Sequence, residues 1–181
     1  ANAGQVCISV QRVYVHRPVY DEFCKRAVSI AGTIKVGDPL DPANDLGCMI
    51  SEYEAARAME WINEAVAGGA EVLIGGRRSG PFMEPTILTN VLPEMKCVCN
   101  EIFAPVFSII PYDTIDEAIA LANDSRYGLQ AGVFTNSLDI ATRCAEELEV
   151  GGVIINDVSA FRTDLMPYGG WKESGTGKEG P

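Results

Sequence analysis

A cysteine close to the start of the sequence has the chemistry of a nucleophile. Cys7 ends the stretch NAGQVC (2–7), behind a run of small residues. A free thiol has a pKa of about 8.5, so a reactive thiolate needs backbone donors, a helix N-terminus or a distant residue. The small residues Ala1, Ala3 and Gly4 would let backbone N–H groups approach a developing oxyanion. Cys7 is therefore a candidate nucleophile, and the alternative is an ordinary buried thiol.

The single histidine offers a second kind of chemistry. If His16 lay within hydrogen-bond reach of Cys7, the two would form the nucleophile and base of a stand-alone cysteine hydrolase. His16 ends a predicted strand just before Pro18, where a purely structural histidine is the alternative. A third possibility is an interaction domain without catalysis, in which Cys7 is buried and unreactive. The residues alone leave these possibilities open.

A carboxylate and an aromatic ring lie two residues apart in the stretch NEIFAPVF (100–107). Glu101 stands among apolar residues, where burial without a partner would be costly. It therefore either reaches solvent through a bend at Pro105 or has a buried or ligand partner. Phe103 would face the same side as Glu101 in an extended segment, so the two form a candidate ligand-facing pair. The alternative for Phe103 is a place in the core.

Three glycines near the end form a GxGxxG pattern, at Gly175, Gly177 and Gly180. A dinucleotide-binding turn of this pattern needs a strand before it and a helix after it, because the helix N-terminus holds the pyrophosphate. Only Pro181 follows the last glycine. The sequence therefore predicts a glycine-rich loop here.

Length and charge exclude several classes of partner. The 181 residues suit one domain, or one domain with an appendage. A net charge of -11 argues against nucleic acid and anionic membranes, since both attract clusters of Lys and Arg. No apolar run reaches the roughly 18 residues of a membrane span. We therefore expect neither nucleic acid nor a membrane as a partner.

The six cysteines do not form a disulfide or metal pattern. They are scattered through segments typical of core elements, and no CxxC motif occurs. The CVC stretch at 97–99 has only His16 as a nitrogen co-ligand, so we expect no metal site. A chain of this size does not need disulfides. Reduced cysteines in a cytoplasmic protein are the expectation.

Strand-like runs alternate with amphipathic helical segments along the chain. Strands are predicted at 11–15, 71–76, 85–91, 105–112, 132–135 and 150–156, and helices at 18–34, 114–125 and 137–149, with a further helix between a Ser51 cap and Gly68. This alternation predicts an α/β fold, a three-layer sandwich in which helices cover a mostly parallel sheet. The domain core is predicted over 1–156, followed by a terminal loop of the same domain over 157–181.

Five stretches occur in an order that resembles the motif series of the NAD(P)-dependent aldehyde dehydrogenase superfamily. They are NAGQVC, EPTIL, NEIFAPV, ANDSRYGLQAGVFT and MPYGGWKESGTGKEG. The resemblance extends from residue 1 to residue 181, and Ala104 stands where many members have glycine. It implies the catalytic domain of such an enzyme and the fold of that domain.

The resemblance implies roles for four residues. Cys7 would attack an aldehyde to give a thiohemiacetal, which loses hydride to NAD or NADP and leaves a thioester for water to hydrolyse. The Cys7 backbone N–H would supply half of an oxyanion hole. Glu101 would bind the nicotinamide ribose, Phe103 would pack near the nicotinamide, and Tyr168 would line the substrate tunnel. Coenzyme A in place of water is the alternative acyl acceptor within the family.

The family's cofactor-binding domain, general-base glutamate and oxyanion asparagine precede the NAGQVC motif, and an oligomerisation strand follows the final loop. We therefore expect a catalytic-domain fragment that is inactive alone and self-associates, from a homo-oligomeric parent. The substrate would be a small aldehyde. Arg162 is a candidate to meet an anionic aldehyde, and the alternative is a surface ion pair with Asp157 or Asp164.

Overall fold

The computed structural model describes residues 2–180. Ala1, one of the small residues expected near the nucleophile, lies outside the described residues. The chain divides into two compact units, Ala1–Pro111 and Tyr112–Pro181. The separation of a core over 1–156 from a terminal loop over 157–181 stays a prediction.

The first unit is built on a four-stranded sheet. The elements of this unit are a 3₁₀ turn at Asn2–Gly4, the strands β1 (Arg12–His16), β2 (Glu71–Ile74), β3 (Arg78–Ser79), β4 (Phe82–Met83), β5 (Thr86–Thr89) and β6 (Val106–Tyr112), and the helices α1 (Arg17–Ala31), α2 (Glu52–Ala67) and α3 (Lys96–Cys99). The strands are ordered β1-β6-β5-β2 across the sheet. β5 runs parallel to β6, whereas β2 pairs antiparallel with β5.

Helices cover both faces of this sheet. Adjacent residues of a strand point to opposite faces, and in β5 the two faces have different partners. Ile87 packs in a cluster with side chains of α1, whereas Leu88 packs in a second cluster with the buried side chains of α2. The order helix, sheet, helix is the predicted three-layer arrangement.

Local signals in the sequence set the ends of α2. The Ser51 side chain accepts a hydrogen bond of 3.2 Å from the Glu54 backbone N–H, so the predicted N-cap is confirmed. Gly68 is the C-cap, and the following Gly69 adopts the left-handed conformation, with φ +105°. Four side chains of α2 are buried: Ala55, Ala58, Ile62 and Ala65.

The second unit contains a parallel strand pair with two helices. Its elements are α4 (Ile115–Asn123), β7 (Tyr127–Gly128), β8 (Gln130–Val133), α5 (Leu138–Glu147), β9 (Gly152–Ile155), β10 (Tyr168–Gly169), β11 (Trp171–Lys172) and β12 (Lys178–Glu179). β8 runs parallel to β9. The hydrophobic core of this unit is built around Ile119, Cys144 and Leu148. β10 pairs with β12 and β11 with β7, so the predicted terminal loop contains short antiparallel pairs.

The α/β class is confirmed, with a mixed sheet of mostly parallel strands flanked by helices. Every strand and helix predicted from periodicity occurs, with bounds that differ by a few residues. The elements that the sequence missed are four residues long or shorter, which is too short for a periodic pattern. No helix within residues 2–180 has the length and apolar character to cross a membrane.

Candidate active site

Cys7 lies in an exposed turn that follows a left-handed stretch of backbone. Asn2, Ala3 and Gly4 have φ values of 47°, 53° and 73°. Ala3 is buried, and a Cβ on Gly4 would collide with the backbone carbonyl of Ala104. The chain then turns again, where the Ser9 backbone N–H donates 3.0 Å to the Val6 carbonyl. Small residues are thus needed before Cys7 because the backbone packs directly on another segment.

The side chain of Gln5 ties this turn to a distant loop. Its Nε2 donates to the carbonyls of Asn2, at 2.8 Å, and of Cys48, at 3.4 Å. Its Oε1 accepts 2.7 Å from the Ile50 backbone N–H. Because three backbone groups hold one side chain, the residue two positions before Cys7 is fixed in place.

Glu101 and Phe103 lie in the 100–105 segment, which joins α3 to β6. Burial alternates along it, since Ile102 and Ala104 are 2% and 3% exposed while Glu101 and Phe103 are exposed. Phe103 has φ +53°, so the segment is not extended there. The Glu101 carboxylate therefore reaches solvent, and the cost of a buried unpaired charge does not arise.

A small pocket in the first unit brings the two segments together. It is lined by Gly4, Val6, Cys7, Ser9, Val10, Gln11, Glu101, Ile102, Phe103, Ala104 and Val106. These side chains and backbone groups place an exposed thiol, a carboxylate and an aromatic ring around one space. His16 is not among the lining residues, and its side chain lies exposed at the end of β1.

Arg162 and Tyr168 come together in the second unit. The Arg162 guanidinium carbon lies 4.2 Å from the centroid of the Tyr168 ring, a cation–π contact. Its Nη2 lies 3.9 Å from the carboxylate of Glu179, so the surface ion pair forms with this residue, in place of the expected Asp157 or Asp164. Tyr168 also lines a second pocket, together with glycines of the terminal segment.

The glycine-rich segment does not have the structure of a dinucleotide-binding turn. The residues between Gly177 and Gly180 form β12, a strand where the fingerprint needs a helix. Gly175 and Gly180 have φ values of +144° and +105°, as residues of irregular turns do. The loop interpretation of this pattern fits the structure.

The cysteines differ strongly in their surroundings. Cys7 and Cys99 are exposed, whereas Cys97 and Cys144 are buried, and none of the six cysteines, all of which lie within residues 2–180, forms a disulfide. Burial raises the pKa of the Cys97 thiol to about 11, and burial also raises the pKa of Cys144. Within residues 2–180, no group of three or more His, Cys, Asp or Glu side chains is placed to hold a metal ion.

Sequence reasoning missed two polar side chains that hold the 100–105 segment. Gln11 donates through Nε2 to the carbonyls of Cys97, at 3.1 Å, and Asn100, at 2.6 Å, and its Oε1 accepts 3.1 Å from the Ile102 N–H. Arg57 donates 2.8 Å to the Ile102 carbonyl. Gln11 is a polar residue within the otherwise largely apolar run VCISVQRV, which is the signal that could have identified it.

Comparison with known proteins places this chain in a family. A model of the aldehyde dehydrogenase family matches residues 1–181. The 3-sulfolactaldehyde dehydrogenase of Priestia aryabhattai is 54% identical over 180 residues, which are 99% of this chain and 38% of that protein. The chain belongs to the aldehyde dehydrogenase family. It spans about 38% of the length of the curated relatives it matches.

Solved structures have the same fold. Aldehyde dehydrogenase 21 from Physcomitrella patens, in complex with the reaction product succinate, is similar with a TM-score of 0.97 and 44% identity. That similarity covers 98% of this chain and 37% of the other. Glyceraldehyde-3-phosphate dehydrogenase from Methanocaldococcus jannaschii, complexed with NADP, is similar with a TM-score of 0.95 and 42% identity, over 98% of this chain and 39% of that one.

Proposed function

We propose that this chain carries the nucleophile of an enzyme that oxidises a small aldehyde to a carboxylic acid with NAD or NADP. The observation that carries the proposal is the pocket in which exposed Cys7 meets Glu101 and Phe103. The named activities of the relatives support the same reaction class, since they are aldehyde dehydrogenases.

Cys7 performs the covalent part of the reaction. Its thiolate adds to the carbonyl carbon, and the carbonyl oxygen becomes the oxyanion of a thiohemiacetal, which the Cys7 backbone N–H stabilises. After the substrate carbon has lost hydride, the Cys7 sulfur carries the acyl group as a thioester. Water then adds to the thioester carbon, and the carboxylic acid leaves as Cys7 regains its thiolate.

The residues opposite Cys7 fit a nicotinamide cofactor. The exposed Glu101 carboxylate can accept hydrogen bonds from ribose hydroxyls, and Phe103 presents an apolar ring at the same pocket. When bound, the dinucleotide supplies the acceptor for the hydride. The NADP complex of the Methanocaldococcus protein shows that a relative binds one form, and we leave both NAD and NADP in the proposal.

Arg162 and Tyr168 are proposed to contact the substrate, with Tyr168 lining its tunnel. The Arg162 guanidinium is only loosely engaged by Glu179, at 3.9 Å, and an exposed pair of this length contributes little. An anionic aldehyde can therefore compete with Glu179 for Arg162, while the cation–π contact with Tyr168 keeps the guanidinium in place. Sulfolactaldehyde and succinate, named for two relatives, are both anionic at neutral pH.

The proposal is tested by replacing the matching segment of the Priestia enzyme with this chain. We expect the chimera to form NADH or NADPH with anionic aldehydes, and Cys7→Ser to lower kcat at least about a thousandfold. Cys99→Ser, which removes an exposed cysteine outside the pocket, should retain activity. Arg162→Ala should raise KM for anionic aldehydes more than for neutral ones.

Three results would contradict the proposal or change the nucleophile, the acyl acceptor or the reaction that it assigns. Full activity of the Cys7→Ser chimera would remove Cys7 from the reaction. Acyl-coenzyme A as the product, formed only when coenzyme A is added, would replace water as the acceptor. Ester hydrolysis that requires His16 but no dinucleotide would support the stand-alone hydrolase.

Wider properties of the parent protein stay predictions. The proposal includes a cytoplasmic, homo-oligomeric enzyme and an isolated chain that is inactive and self-associates. Large apolar side chains that are more than four-fifths exposed favour self-association, among them Leu40, Ile50 and Leu165.

A further inference from the structure

Gln11 links the start of β1 to the segment that faces Cys7. Its backbone carbonyl accepts 2.9 Å from the Ser108 N–H of β6, which anchors its main chain to the sheet. Its side chain bonds three backbone groups at 97–102, and these lie 86 to 91 positions away in the sequence. A residue just before β1, anchored to β6 by its backbone, thus reaches across to an irregular segment.

The same segment is held from its other side by α2. Arg57 donates 2.8 Å to the Ile102 carbonyl, and it is itself oriented by Glu54, at 2.7 Å, and by the Trp61 ring, at 4.6 Å. Both backbone polar groups of Ile102 are therefore bound by side chains from distant elements. Ile102 lies between Glu101 and Phe103, and all three line the pocket together with Cys7.

We propose that Gln11 is a positioning residue that fixes Glu101 and Phe103 across the pocket from Cys7 and so sets the affinity for the dinucleotide. This inference rests on the proposed function. Gln11 is itself one of the residues that line the pocket, but its side-chain amide is bonded to backbone groups at 97–102, and through these bonds it positions the two residues that the segment carries.

The chemistry of the amide explains why this position needs glutamine. Two carbonyl oxygens require donors and one N–H requires an acceptor, and a primary amide supplies both from one planar group. Glutamate would present an oxygen to the two carbonyls, and leucine would remove the side-chain hydrogen bonds to all three groups. Phe103 adds a requirement, because a left-handed φ in a non-glycine residue costs energy and persists only where its surroundings enforce it.

The first test needs no cofactor. Hydrogen exchange of the backbone amides at 97–103 is measured in the chain with native Gln11, Gln11→Leu and Gln11→Glu. We expect the Ile102 amide to exchange about tenfold faster or more in Gln11→Leu, since its acceptor is gone. Gln11→Glu keeps an acceptor for Ile102 and should show a smaller increase. Unchanged exchange at Ile102 in both variants would overturn the inference.

The second test separates the two sides of the pocket in the active chimera. Gln11→Leu should raise KM for the dinucleotide about tenfold, the equivalent of about 1.4 kcal/mol. It should leave the rate of Cys7 alkylation by iodoacetamide within about twofold. Gln5→Leu, which loosens the backbone before Cys7, should change alkylation and kcat more than the dinucleotide KM. A general structural role of Gln11 would instead alter all of these together, and that result would overturn the inference.

Failure of the inference is distinguishable from failure of the proposed function. An inactive parent chimera would contradict the proposed function, whereas an active parent with an unchanged dinucleotide KM in Gln11→Leu would contradict only the inference. Gln11→Glu gives the second variant if Gln11→Leu does not fold. It should raise the dinucleotide KM as well, because its carboxylate faces two carbonyl oxygens.

Discussion

Gly4 is the single residue on which the geometry before Cys7 depends most directly. It combines a left-handed φ of +73° with a backbone approach to Ala104 that leaves no room for a Cβ. Ala104 belongs to the segment that carries Phe103, so this contact joins both walls of the pocket. The sequence predicted small residues here for access to an oxyanion, and the structure adds a packing reason.

Gly4→Ala should therefore destabilise the first unit more than the same substitution at a glycine that has only an unusual φ. We expect a loss of about 2–5 kcal/mol, from strain of about 1–2 kcal/mol together with displacement of the Ala104 backbone. Gly69→Ala is the matched control, because Gly69 has φ +105° but a Cβ added there would meet no atom within 4 Å. Its cost should stay near about 1–2 kcal/mol.

The measurement is urea unfolding followed by the fluorescence of Trp61, in a Trp171→Phe background. Trp61 belongs to α2 in the same unit as both glycines. Equal losses in the free energy of unfolding for the two variants would show that the close contact with Ala104 adds nothing to the cost of the substitution at Gly4. A smaller loss of stability for Gly4→Ala than for Gly69→Ala would contradict the close approach of Gly4 to the Ala104 backbone.

At the scale of elements, α2 connects the sequence signals to the site. Its N-cap was predictable from Ser51 and Glu54, because capping is a local interaction between neighbouring residues. The contact that matters for the pocket was not predictable, since Arg57 reaches Ile102 across 45 positions. The same holds for Gln11, whose partners lie 86 to 91 positions away. Periodicity and capping report on neighbours in sequence, and only the tertiary fold determines such distant pairs.

The residues of the candidate site were predictable from the sequence, but their arrangement around one pocket was not. Cys7, Glu101 and Phe103 could be singled out from their residue types and from the resemblance to a known motif series. Their position around one pocket depends on the left-handed conformations at Ala3 and Phe103. Such conformations are uncommon for residues other than glycine, so no residue-type rule indicates them.

Ser51→Ala should weaken α2 through the loss of its cap. The Glu54 N–H loses its acceptor, and the expected cost is about 1 kcal/mol in the free energy of unfolding. Ser29→Ala is the control, because Ser29 is exposed within α1 and alanine is at least as good a helix former. Urea unfolding of both variants gives the comparison. A loss for Ser51→Ala no larger than that for Ser29→Ala would mean that the cap is not needed.

At the scale of the whole molecule, charge and buried thiols both act on stability at alkaline pH. The chain has a net charge of -11 at pH 7, and further deprotonation increases the repulsion within the folded state. Cys97 adds a specific contribution. Its thiol is buried in the core of the first unit, and burial raises its pKa from 9.0 to about 11.

The sign of this contribution follows from proton binding. Between pH 9 and about 11 the folded protein keeps the Cys97 proton while the unfolded chain loses it, so stability falls as pH rises. The stabilisation is fully present below pH 9 and is lost by about pH 11. Over this interval of two pH units, at about 1.4 kcal/mol per unit, Cys97 accounts for roughly 3 kcal/mol.

The free energy of unfolding in urea, measured in steps from pH 8 to about pH 11, tests this in the native chain and in Cys97→Ala. The variant should lose stability less steeply above pH 9, although its stability at pH 8 is lower because a buried side chain is truncated. Val98→Ala removes a neighbouring buried side chain but no thiol, so its curve should run parallel to that of the native chain. General repulsion acts on all three proteins alike. If Cys97→Ala has the same slope as Val98→Ala, the alkaline loss of stability does not come from this thiol.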